Sequence, residues 1–115
     1  MGGWNISIST LTEEEKDRAD IPTIRASQLA HWDVYRGGGL AWIDDLVASG
    51  KAVQLAKGGY PNRYTANAAD VLPHIEDECV KRSALDRRSM DTFHKERMSA
   101  CRDDQVLTIY VWDLS

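Results

Sequence analysis

His31, His74, His94, Cys79 and Cys101 are the residues of this sequence best suited to hold a metal ion or a labile proton. Read as a zinc set, His74 and Cys79 are separated by four residues, and His94 and Cys101 by six. Structural zinc sites are built instead on tight pairs such as C-x2-C or H-x3-H. Both cysteines fall at inward positions of helical patterns, where Cys serves as a small buried hydrophobe, and they are expected to be reduced thiols. His31-Trp32-Asp33 brings a base near a carboxylate, but close neighbours on a helix do not face each other. The acidic clusters Asp44-Asp45, Glu76-Asp77-Glu78 and Asp103-Asp104 read as solvated faces and turns. No G-x-S-x-G, H-E-x-x-H or phosphate-binding G-x-x-x-x-G-K-[ST] motif occurs. Gly37-Gly38-Gly39 stands before a helix start, where free N–H groups can meet an anion, but such a run reads first as a corner between elements. The expectation is a chain with no cofactor, no metal ion and no catalytic residue, and hence not an enzyme.

The aromatic residues carry more information. There are four Trp and four Tyr against one Phe. Phe is the usual core aromatic, whereas Trp and Tyr keep a polar tip and are enriched at interfaces. Trp32, Tyr35, Tyr60 and Tyr64, with Arg36 and Arg63 beside them, have the composition of a binding hot spot. These six are the candidate site residues, expected to be at least partly exposed. A core or rim role for the aromatics is the competing reading.

The elements that must position them follow from period and punctuation. Trp4, Ile6 and Ile8 alternate with Asn5, Ser7 and Ser9, which predicts a half-buried strand. Thr12 with Glu15 fits a capping box for a short polar helix that Pro22 interrupts. Ile24, Leu29, Trp32 and Tyr35 approximate one stripe of a helix over 24–35. Leu40, Ile43 and Val47 predict a further helix that Gly50 stops. Residues 52–66 read as a β-hairpin with a long Gly-Gly-Tyr-Pro-Asn turn. Pro73 is tolerated in a first helical turn, which places a helix start near Asp70. Met90, Phe93, Met98 and Cys101 suggest another helical stretch, and Asp103-Asp104 a turn. Residues 106–112 are apolar on both faces and predict a central strand whose natural partner is the N-terminal one. The fold class expected is α+β: one domain over residues 1–115, a small antiparallel sheet pairing the two chain ends, extended by the 52–66 hairpin and packed with three or four helices.

At 115 residues, 43% hydrophobic and 28% charged, the sequence is long enough for one core and too apolar for a disordered chain. No apolar run approaches the ~20 residues of a membrane helix, and the N-terminus has no basic start and apolar core of a signal peptide, so a cytoplasmic protein without a membrane partner is expected. The net charge is −4, which disfavours general nucleic-acid binding. Residues 37–66 are the least acidic third, with three basic and two acidic residues.

That middle third looks like the recognition helix and wing of winged-helix proteins: a helix to Ala48, then a hairpin returning through Arg63-Tyr64. A winged-helix DNA-binding regulator is therefore the alternative function. The helix, however, carries Asp44 and Asp45 and no cation before Lys51, where contact with phosphates and guanine edges wants Arg or Lys.

Gly50-Lys51-Ala52-x-Gln54-Leu55, then Gly58-Gly59-Tyr60-Pro61-x-Arg63-Tyr64-Thr65-Ala66 and Asp70-Val71-Leu72-Pro73, resemble segments of small phage and prophage proteins. The resemblance implies a mobile-element origin and a stoichiometric inhibitor of the anti-CRISPR kind, with no functional residues to carry over. The leading expectation is a non-enzymatic protein-binding inhibitor or adaptor that blocks a host protein or complex handling nucleic acid or defence. Glu76, Asp77, Glu78, Asp103 and Asp104 could mimic phosphates against a basic partner.

Overall fold

The structure, a computed structural model, describes residues 3–34, 40–56, 62–84 and 92–113. Among them the chain order is β1 (Trp4–Ser9), α1 (Glu13–Arg18), α2 (Ile21–Ser27), β2 (Gln28–Val34), α3 (Ala41–Ala48), β3 (Ala52–Ala56), β4 (Asn62–Asn67), α4 (Ala68–Ala84), β5 (Thr92–Phe93), α5 (Lys95–Ser99) and β6 (Val106–Asp113). The six strands form one sheet in the order β3-β4-β6-β1-β2-β5, and all its neighbours are antiparallel. The fold is α+β. The two chain ends pair as expected, with Ile6 opposite Val111 and Ile8 opposite Ile109. The hairpin extends the sheet through β4, which pairs with β6 from Asn62 to Asn67.

Register and alternation give each face of the sheet its residues, because side chains directly opposite one another share a face. One face carries Ile6, Ile8, Ala30, Trp32, Tyr64, Leu107, Ile109 and Val111, all buried. Helix α3 adds Ile43 and Leu46 to this core, α4 adds Val71 and Ile75, and α5 adds Met98. Burying an aliphatic side chain of this size is worth about 1.5–3 kcal/mol. This layer is the main source of stability.

Local chemistry fixes the helix ends. The capping box is present in both directions: Thr12 Oγ1 accepts from Glu15 N–H at 3.2 Å, and Thr12 N–H donates to Glu15 Oε1 at 3.1 Å. Asp20 caps α2 by accepting from Thr23 N–H at 2.9 Å, with Pro22 in the first turn. Helix α3 ends at a left-handed Gly50, φ +80°. Gly50 N–H donates to Val47 O at 3.1 Å and Lys51 N–H to Leu46 O at 2.8 Å, the paired bonds of a Schellman stop.

Three expectations are corrected. Residues 24–35 do not form one helix: α2 ends at Ser27, and Gln28–Val34 is strand β2. Leu29 and Trp32 mimic a helical spacing, but Ala30, Trp32 and Val34 alternate with His31 and Asp33, and pairing with β1 decides in favour of that period. Of the expected helical stretch to Cys101, Met90 lies outside the described residues, while Thr92–Phe93 is a short edge strand, β5, and Lys95–Ser99 a five-residue helix, α5, because Thr92 and Phe93 pair with His31 and Ala30. Helix α4 starts at Ala68, two residues before Asp70, which puts Pro73 beyond the first turn. Its first N–H groups are taken by the turn before β6: Ala68 N–H donates to Gln105 O at 2.8 Å and Ala69 N–H to Asp103 O at 3.1 Å. The Gly37-Gly38-Gly39 corner and the Gly58–Pro61 turn lie outside the described residues.

Candidate functional site

The second face of the sheet is polar. Its longest cross-strand row runs Arg63, Tyr110, Ser7, His31, Thr92 across five strands. A second row is Trp112, Asn5, Asp33, and a third includes Thr65, Thr108 and Ser9. Strands place these residues by alternation alone: each is one position from a core residue. Arg63 sits here because Tyr64 points into the core, and Trp112 because Val111 does.

The polar groups are tied to one another. Asn5 Nδ2 donates to Asp33 Oδ1 at 2.8 Å, and Ser7 Oγ donates to Asn5 Oδ1 at 3.2 Å. At one end the α1–α2 segment lies over the same face. Thr108 Oγ1 donates to Leu11 O at 2.8 Å, Thr10 N–H donates to Ser27 O at 3.0 Å, and the Ser9 and Ser27 hydroxyls share a bond at 3.0 Å. Lys16 Nζ lies 4.3 Å from the centre of the ring of the buried Tyr110, a cation–π contact. Arg97 Nη1 donates to Arg25 O at 3.0 Å and to Gln28 O at 2.8 Å, so a cation of α5 satisfies carbonyls at the end of α2.

Between α1–α2 and strands β1 and β6 these contacts leave a groove of about 200 Å³, lined by Ser7, Ser9, Lys16, Ile24, Arg25, Gln28, Tyr110 and Trp112. Among the described residues it holds two cations and no carboxylate. That is notable in a chain of net charge −4. The Asp20 carboxyl, at the cap of α2, is held below the usual aspartate range by its hydrogen bonds from Thr23. A second, more open hollow is lined by Phe93, His94, Lys95, Glu96 and Arg97. Partial burial, then the neighbouring Arg97 and His31, hold His94 below its ordinary value.

The six sequence-derived candidates do not come together on this face. Among the described residues only Arg63 is placed there, half-buried. Trp32 is 1% exposed, which corrects its expected exposure. It stacks between Phe93 at 5.6 Å and Trp42 at 6.4 Å, and Trp42 in turn stacks on His74 at 5.1 Å. Tyr64 is also buried, on the helix-covered face, and burial followed by the Asp44 charge raises its hydroxyl pKa. The physical reason in both cases is strand alternation, which a helical or loop reading cannot assign. Tyr35, Arg36 and Tyr60 lie outside the described residues. The reading of the sequence missed Tyr110 and Trp112, both visible as aromatics within the terminal strand. It also missed Lys16 and Arg25, which only the docking of α1–α2 brings in.

The remaining candidates are dispersed. Cys79 is buried in α4 and Cys101 Sγ donates to Arg97 O at 3.4 Å, while burial raises the Cys101 pKa. Among the described residues no three His, Cys, Asp or Glu side chains gather to hold a metal ion. The turn at Asp103-Asp104 abuts the start of α4, whereas Glu76-Asp77-Glu78 begin eight residues further along, about 12 Å up the helix. Helix α3 exposes Asp44 and Asp45. The return strand of the hairpin is bonded into the sheet along its length. Among the described residues no helix is long and apolar enough to cross a membrane.

Compared with protein-family models, curated proteins and solved structures, the chain shows no significant match. The geometry therefore carries the functional reading.

Proposed function

We propose that the protein is a non-catalytic binding module, an inhibitor or adaptor, that recognises a protein partner through the polar face of its sheet. One observation carries this reading: the half-buried Arg63 and Trp112, with the buried Tyr110 beside them, share a strand-built face whose Asn5, Ser7 and Asp33 side chains are already bonded to one another. Trp, Tyr and Arg dominate binding energy at protein interfaces. A face fixed before contact loses little side-chain entropy on binding. Arg63, Lys16 and Arg25 against Asp33 give it a basic cast, so the matching partner surface is acidic. The net negative charge of the chain favours a protein over a nucleic acid, which it would repel at long range. The resemblance of the 50–73 segment to small phage proteins adds a blocking action on a host complex to this reading.

The test is affinity capture from the source cell's lysate, repeated with Arg63→Ala and Trp112→Ala. A partner recovered by the parent and lost in both variants, at unchanged far-UV circular dichroism, is the expected result. Equal recovery by all three proteins refutes the face. Retention of an oligonucleotide in a low-salt gel shift, with affinity falling steeply as salt rises, would replace the protein partner with a nucleic acid.

A further inference from the structure

We propose that the groove between α1–α2 and strands β1 and β6 is an oxyanion pocket that receives one acidic side chain of the partner, a carboxylate or a phosphate ester. This deepens the proposed function and rests on it for the identity of the occupant.

Size sets the class. Sites for drug-sized molecules and cofactors enclose about 300–1,000 Å³, and this groove encloses about 200 Å³. It suits one side chain better than a nucleotide. Charge sets the sign. Lys16 and Arg25 line the groove from two helices, and among the described residues no ion pair engages either. The described acids of α1–α2 are largely committed elsewhere: Glu14 to Arg18 at 3.2 Å, Glu15 to Thr12 N–H, and Asp20 to Thr23 N–H. Asp17 is exposed beside Lys16 in sequence, and adjacent helical positions point apart.

The donor set fits an oxyanion. The hydroxyl protons of Ser7 and Ser9 on the floor are already given to Asn5 Oδ1 and Ser27 Oγ, while Lys16 and Arg25 offer charged donors from the wall. Charge-assisted bonds of this type are roughly twice as strong as neutral ones. Trp112 and Ile24 give the stem of the incoming side chain an apolar wall. The pocket is anchored independently of any ligand, since Thr108, Ser9 and Arg97 hold α1–α2 in place.

The test is a two-dimensional amide NMR titration at constant ionic strength with three probes: N-acetyl-glutamate methylamide, O-phosphoserine, and N-acetyl-glutamine methylamide as the uncharged control. Saturable shifts at Ser7, Ser9, Gln28 and the Trp112 indole N–H with one or both anions, and none with the control, are expected. Lys16→Met and Arg25→Met should each weaken the titration at least about fivefold, and Lys16→Arg should retain it. Saturation by O-phosphoserine alone assigns a phosphorylated partner, and saturation by the glutamate probe an unmodified acidic one. Shifts that are absent, equal for the control, or unchanged in the doubly substituted protein overturn the pocket. The two proposals fail separately. A silent titration with capture lost in Trp112→Ala removes the pocket and leaves the binding face. A saturable titration with capture unchanged in Arg63→Ala and Trp112→Ala keeps the anion site and removes the partner reading.

Discussion

Replacing Trp32 and Trp112 in turn tests which face of the sheet is core and which is available for binding. Trp32 is 1% exposed and stacked between Phe93 and Trp42. Truncation to Ala should cost about 3–5 kcal/mol, the range for a buried Trp or Phe that leaves a cavity. Loss of the two ring contacts accounts for about 0.5–1.5 kcal/mol each within that sum. With a urea dependence of about 1–3 kcal/mol per molar, the unfolding midpoint should fall by roughly 1–5 M at unchanged slope. Trp112 is half-buried on the opposite face, and Trp112→Ala should cost only about 1–2 kcal/mol. Urea titrations followed by far-UV circular dichroism separate the two. A Trp32→Ala midpoint within about 0.5 M of the parent would refute the reasoning. Strand side chains alternate with a period of two, so a one-residue slip of β2 would exchange Trp32 for His31 and Asp33 on the outer face. The polar rows, and with them the binding surface, would then be wrongly composed.

Four further outcomes follow from single contacts. Thr12→Ala removes the capping box and should destabilise the domain by about 0.5–2 kcal/mol, read from the same urea titration. Gly50→Ala should cost about 1–2 kcal/mol through its left-handed backbone alone, since an added Cβ meets nothing within 4 Å; an unchanged midpoint would show that α3 stops differently. Arg97→Met removes both bonds to the end of α2 and should cost about 1.5–3 kcal/mol, with faster amide exchange at Ser27 and Gln28. The Asp20 carboxyl is held below its unfolded value by the bonds from Thr23. Its contribution is therefore present above the usual aspartate pKa and is lost as pH falls through the lower folded one; the acid-side fall in melting temperature should be shallower in Asp20→Asn, which keeps a capping oxygen without titrating.

Much of the frame was legible because local signals and tertiary pairing agree. Trp4–Ser9 alternates, Val106–Trp112 is apolar on both sides, and the two lie side by side in the sheet. Thr12 and Glu15 announce a helix start that the bonds realise, and Gly50 announces a stop. The failures arise where two periods fit the same letters. Leu29, Trp32 and Tyr35 suit a helix, while Ala30, Trp32 and Val34 suit a strand, and only the partner strand β1 decides. Phe93 likewise fits a helical stripe with Met90 and Met98, although its backbone pairs with Ala30.

The same ambiguity explains why the candidate site was harder to find than the fold. A hot-spot composition can be counted from a sequence, but which of two adjacent residues faces the partner depends on strand register. Arg63 and Tyr64 were indistinguishable as candidates until β4 was placed against β6, with Arg63 opposite Tyr110 and Tyr64 opposite Ile109. Lys16 and Arg25 carry no signal of their own, since each is an ordinary surface cation of a short amphipathic segment. They acquire a role because Thr108, Ser9 and Arg97 fasten that segment over β1 and β6. The short helices thus do more than cover the sheet: they add cations to a face whose strands supply hydroxyls and rings. Loosening them by Arg97→Met should accordingly weaken anion binding without touching a residue that lines the groove.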